Sequence, residues 1–198
     1  MLTFFERTLH NILNAYGVPG ISFSSDSNFL QTRSGRAGGS SDNPAPTDPM
    51  DIIKTHGCWC SKPFTGSALQ GQSLDPVDSV CKEFSQCARC NTLKGCSGSE
   101  NFTLSVVPLT DSYTCDSLTS CGMDRCHCSA SFGVNLARAL IDQNSEVDPA
   151  FQNADSGSCL RKSSATGLPK DSCCGNAPFG QLFSSLVEVC DAGVLKGL

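Results

Sequence analysis

Fourteen of the 198 residues are cysteine, and all of them lie between Cys58 and Cys190. An even number at this density is the pattern of a small core stapled by disulfides, and it points to an oxidising compartment. The length fits one domain with appendages. A net charge of -5 with only 14 lysines and arginines gives no basic stripe for nucleic acid and no polybasic patch for anionic lipid, so nucleic acid is not an expected partner. No run reaches the ~20 apolar residues of a membrane span, and no transmembrane segment is expected.

The chain is organised around His56 to Cys90. A Gly-Cys-aromatic-Cys turn at Gly57 to Cys60 leads through a Gly/Ser/Pro-rich loop to Asp75-Pro76. Asp75 suits a helix N-cap, and Pro76 suits the first helical position, where the amide hydrogen it lacks would go unpaired. Val77, Val80, Cys81, Phe84 and Cys87 or Ala88 then recur at helical spacing, which makes one face apolar and leaves Asp78, Lys82, Glu83 and Gln86 facing outward. A second helix is predicted over Ser120 to Leu140, where Cys121, Cys128, Phe132, Leu136 and Leu140 share a face. At the N-terminus, Leu2, Phe5, Leu9, Ile12 and Leu13 form a third stripe closed by Gly17 and Pro19. Glu6, Arg7 and His10 interrupt this stripe, so it reads as a folded helix rather than a secretion signal. A secreted chain with this numbering is expected to have lost its signal already, or to be numbered from an internal methionine.

These residues resemble the calcium-loop and catalytic-helix segment of secreted phospholipase A2 over about residues 50 to 140. His56-Gly57-Cys58-Trp59-Cys60, Asp78, Cys81 and Cys87 match the family's pattern in the first stretch, and Cys121, Cys126 and Cys128 match its second long helix. The resemblance implies a mainly α, disulfide-rich fold: a core of two long antiparallel cross-linked helices with a small β-wing. The wing falls on Thr103 to Val107 and Ser112 to Cys115, whose composition favours strand. The resemblance also implies the pairs Cys60 with Cys81, Cys87 with Cys128, Cys96 with Cys121 and Cys115 with Cys126. Cys58 would reach Cys173 or Cys174. Cys90, Cys159, Cys190 and one of Cys173 and Cys174 remain for two bridges that spacing cannot assign.

The match fails where the chemistry lies. Phe84 stands at the family's catalytic histidine, Ser85 at its calcium-binding aspartate, and Ser129 at the aspartate that supports the histidine. In the calcium loop, Trp59 is retained as an aromatic, whereas Ser61 and Pro63 fall where glycines would offer carbonyls to the metal. Val80 and Asn135 replace both halves of one family disulfide. The expectation is a protein with no catalytic residues, no cofactor and no bound metal.

Two rival chemistries deserve weight. Cys87 and Cys90 with Cys126-His127-Cys128 could supply a zinc site, but Cys126 and Cys128 point about 160° apart on a helix. Ser85, Asp124 and His127 are the residue types of a triad, but no nucleophile-elbow sequence surrounds Ser85. His56 is expected to pack at a turn, His127 to be half-exposed on its helix, and His10 to lie on a helix surface.

Residues 1–49 read as an N-terminal helix and a Gly/Ser/Pro-rich insertion, with a short strand at 21–29 and a flexible excursion at 34–47. Residues 50–140 are the disulfide core, and 141–198 a disulfide-pinned C-terminal extension in which Phe179 to Val189 shows helical spacing. Asn101-Phe102-Thr103 is an N-glycosylation sequon. The functional expectation is a non-catalytic secreted binding or structural module whose partner is another protein or a second copy. A lipid-surface-binding protein or toxin without hydrolase activity is the alternative, and a hydrolase of unrecognised mechanism the second.

Overall fold

The computed structural model describes residues 4–18, 53–61, 71–143, 151, 159, 168 and 170–198. Helix α1 spans Phe4–Ala15, α2 Pro76–Leu93 and α3 Ser120–Asp142. Asp75 caps α2 in extended conformation, its carboxylate accepting from the Asp78 amide at 2.7 Å. Thr119 caps α3 in the same way, its hydroxyl accepting from the Gly122 amide at 3.0 Å. Each cap satisfies an amide that the first turn cannot pair internally.

The core cluster runs from Leu9, Leu13 and Val18 through Ile53 and Val77 to Phe132, Leu136 and Leu140. Full burial of each aliphatic side chain contributes roughly 1.5–3 kcal/mol. Ile12 of α1 seats directly over Gly133 of α3, where a Cβ would come within 2.3 Å of the Ile12 Cδ1. Glycine at 133 therefore sets how closely these two helices approach. Beyond α1, Gly17 at φ +69 turns the chain away. The Tyr16 hydroxyl donates to Asp111 Oδ1 at 2.9 Å, and Arg138 of α3 pairs with the same carboxylate.

Strands β1 (Thr103–Val107) and β2 (Ser112–Asp116) form an antiparallel hairpin around a 3-10 turn at Pro108–Thr110. Strand β3 (Ser172–Cys174) pairs antiparallel with β4 (Gln181–Phe183), and β5 (Glu188–Asp191) with β6 (Val194–Gly197). The expectation of a mainly α chain built on two long cross-linked helices with one wing is therefore corrected. The described residues hold three helices and several small antiparallel sheets, with about 46% helix and 20% strand.

Much of the difference lies at the C-terminus. Phe183, Leu186 and Val187 have the spacing of a helical face, but only Phe183 is buried, while Leu186 and Val187 are exposed in a turn. The Cys90–Cys173 and Cys174–Cys190 bridges fix this segment as hairpins. Local periodicity yields here to cross-links set by distant residues.

Seven disulfides use all 14 cysteines. Cys60 is joined to Cys81, Cys87 to Cys128, Cys96 to Cys121 and Cys115 to Cys126. Cys58 pairs with Cys159, not with Cys173 or Cys174, which corrects that expectation. The seven bridges are compatible with an extracellular protein. Among the described residues no helix is long and apolar enough to cross a membrane.

Candidate functional site

The turn that precedes α2 is tied to the helix start by a buried polar knot. His56 is fully buried and its Nε2 lies 2.7 Å from Asp75 Oδ2. The ring meets Phe151 edge-on, with centroids 6.2 Å apart. Asp78 is also fully buried rather than facing outward as the helical pattern predicts. Its carboxylate accepts from the Trp59 amide at 2.7 Å and the Leu74 amide at 3.0 Å, so the loop's own donors compensate the burial.

Gly57 lies at φ +61, and a Cβ there would stand 2.3 Å from the Asp78 Cγ, so the turn and the carboxylate require each other. Burial alone would raise the Asp75 pKa. The hydrogen bonds from His56 and from the Asp78 and Val77 amides outweigh it and hold this carboxyl below its usual range. With His56 fully buried and Asp75 partly buried, the knot fixes the loop against the start of α2.

Beside the knot, Trp59 is half-buried, with the Lys82 ammonium 5.5 Å from its ring centroid. Lys82 also donates to the Gly71 carbonyl at 3.1 Å. A fixed cation thus sits at the loop where the resemblance implies degenerate calcium ligands at Trp59 and Ser61. Pro63 lies outside the described residues, as do the expected strand at 21–29 and the excursion at 34–47.

Further along α2, Phe84 packs on Phe132 of α3, with ring centroids 4.7 Å apart and planes at 39°. Ser85 is buried, and its Oγ has no hydrogen-bond partner among the described residues, so no base contacts it. Ser129 is buried on α3. Asp124 pairs with Lys94 at 3.0 Å, and His127 meets Tyr113 edge-on at 5.7 Å. Asp124 and His127 are therefore engaged with other neighbours, and neither is paired with Ser85. Val80 and Asn135 line one cavity of about 240 Å³ together with Phe84, Phe132 and the exposed Phe179.

The zinc alternative is overturned by the sulfur chemistry. Cys87, Cys90, Cys126 and Cys128 are all bonded to other cysteines, and a disulfide sulfur carries no thiolate charge for a metal. The same holds for Cys96 and Cys121, whose sulfurs and a Glu100 carboxylate oxygen lie within 4.8 Å of one another.

Asn101 is exposed at the entrance to β1, with Thr103 also exposed. The sequence reading missed Gly133 and Asn91, because each meets a residue far away in the chain, Ile12 and Cys128. No protein-family model matches this sequence, and no curated protein matches it.

Proposed function

We propose that the chain is a non-catalytic, secreted binding or structural module, a degenerate relative of the secreted phospholipases A2. The observation that carries this reading is the inter-helix position of Phe84 and Ser85. An aromatic ring packed on Phe132 and a buried hydroxyl without a base stand where the resemblance implies a histidine and a carboxylate. Without an imidazole no base activates water, and general base catalysis is typically worth ~10² to 10⁴-fold. The Lys82 ammonium at the loop adds charge repulsion against a divalent cation.

The partner in this reading is a protein, either a different one or a second copy. Exposed Val194 on the C-terminal hairpin, with Leu186 and Val187 in the turn before it and Leu198 after it, supports it. Calorimetric titration with calcium, a fatty-acid release assay on mixed lipid vesicles, and sedimentation over a concentration series test it together. The expected result is no calcium heat, no hydrolysis and no vesicle pelleting. Calcium-dependent fatty-acid release would overturn the reading, and vesicle binding without release would replace the protein partner by a lipid surface.

A further inference from the structure

Asn101 is the one asparagine in the sequence followed two places on by serine or threonine, with Phe102 between. Such a triplet becomes an acceptor for N-linked sugar where its amide and its hydroxyl can both be reached from solvent. The fold meets that condition by alternation. Thr103 opens β1 opposite Asp116, and in extended backbone residues two apart share a side. Asn101 and Thr103 are both exposed, while Phe102 between them is half-buried, its ring under the Arg125 guanidinium at 5.7 Å.

The backbone here is held and the reactive side chains are left out of the holding. The Asn101 carbonyl accepts from Ser117 Oγ at 2.9 Å, and the Glu100 carbonyl accepts from Arg125 at 2.6 Å. Among the described residues neither the Asn101 side-chain amide nor the Thr103 hydroxyl is engaged in a hydrogen bond. Asn101 also stands on the wall of an open cleft of about 390 Å³, between the entrance to β1 and the chain from Asp116 to Thr119. Leu118 lines the same cleft, fully exposed and one residue beyond the serine that bonds Asn101. A lone exposed leucine is ordinary on a protein surface. This one lies where the first sugar on Asn101 would fall, and the apolar face of a pyranose with its acetamido methyl group would cover it.

We infer that Asn101 carries an N-linked glycan whose first N-acetylglucosamine lies in this cleft against Leu118. In the transfer, Asn101 Nδ2 bonds to the anomeric carbon of a lipid-diphosphate-linked oligosaccharide, and the bond from that carbon to the diphosphate oxygen breaks. The amide gives up one proton and the lipid diphosphate leaves. The inference rests on the secretory route of the proposed function. It adds that a protein partner docks elsewhere, because a bulky hydrated chain occupies this end of the hairpin.

The full chain, led by a cleavable signal into the lumen of mammalian microsomes, tests the acceptor. The expected result is one oligosaccharide on protease-protected protein, removed by an amidase that cleaves the asparagine–sugar bond. Asn101→Gln and Thr103→Val should each abolish it, the second while keeping shape and strand preference, and Thr103→Ser should retain it. In oxidised protein trimmed to the first sugar, a nuclear Overhauser contact is expected between the acetamido methyl and the Leu118 methyl groups. Protected, oxidised protein without sugar, or sugar that survives Thr103→Val, would overturn the acceptor and leave the secretory route standing. A glycan without that Leu118 contact would overturn the seat in the cleft. Free thiols in the protein isolated from its source would instead overturn the secretory route on which the glycan depends.

Discussion

Gly57 is the position where a single methyl group does most damage. Alanine there must adopt a left-handed φ of +61 and place its Cβ 2.3 Å from the Asp78 Cγ. Asp78 cannot retreat without abandoning the Trp59 and Leu74 amides. Gly57→Ala is therefore expected to cost about 2–4 kcal/mol, read as a lower urea midpoint of the oxidised protein. The neighbouring carboxylate sets a pH limit. Asp75 has a folded pKa below its ordinary 3.8, so as pH falls the unfolded chain takes up the proton first. Its contribution to stability is complete above that value and is lost as pH drops through the folded one. Asp75→Asn keeps an N-cap oxygen and should flatten this acid limb when stability is measured by denaturant titration at successive pH values. A third expectation concerns Tyr16. Burial, then the hydrogen bond to Asp111 and its charge, raise its phenol from 10.0 to about 12. In Asp111→Asn the ultraviolet phenolate titration should shift back toward the ordinary value, though not all the way, because burial remains.

At the scale of elements, the link between α2 and α3 can be weighed against its neighbours. Cys87–Cys128 encloses Cys96–Cys121, so with the inner bridge intact the outer one closes an effective loop of only about sixteen residues, which in the chain-entropy model contributes ~3 kcal/mol. Replacing both Cys87 and Cys128 by alanine should lower stability by about that amount in guanidinium unfolding, while far-UV circular dichroism keeps its helical signal. The helices were legible in sequence for local reasons. Asp75-Pro76 announces a start, Gly17 announces an end, and Leu9, Ile12 and Leu13 return on one face. The hairpins after residue 170 were not. The spacing of Phe183, Leu186 and Val187 is the same on paper for a helix and for a turn flanked by strands. The β5–β6 turn also places Ala192 at φ +48 before Gly193 at φ +83, where asparagine would have signalled the reversal. Burial of Asp78 was equally hidden, because its donors come from Trp59 and Leu74 across a turn. The residue types at Phe84 and Ser85 were plain in sequence, whereas the packing of Phe84 on Phe132 needs the third dimension.

For the whole molecule, the disulfide connectivity decides how the chain survives being cut. Cys58–Cys159 and Cys90–Cys173 overlap, so a single break at any peptide bond from Cys58 to Cys173 leaves two pieces that are still covalently joined. Breaks between Cys174 and Cys190 are likewise held by the bridge that joins those two residues. One backbone link inside this region has no such insurance: none of the seven bridges spans the bond between Cys173 and Cys174. A single proteolytic cut between Cys58 and Cys173 should give nicked protein that keeps its full mass on a non-reducing gel and separates only after a reductant is added. Release of a fragment without reductant by a single cut between Cys58 and Cys173 would contradict the connectivity. Under a pulling force applied to the C-terminus, the network transmits the load to the rest of the molecule through that one peptide bond. Adjacent cysteines with different partners thus make β3 the mechanical hinge pin between the stapled body and the tail hairpin.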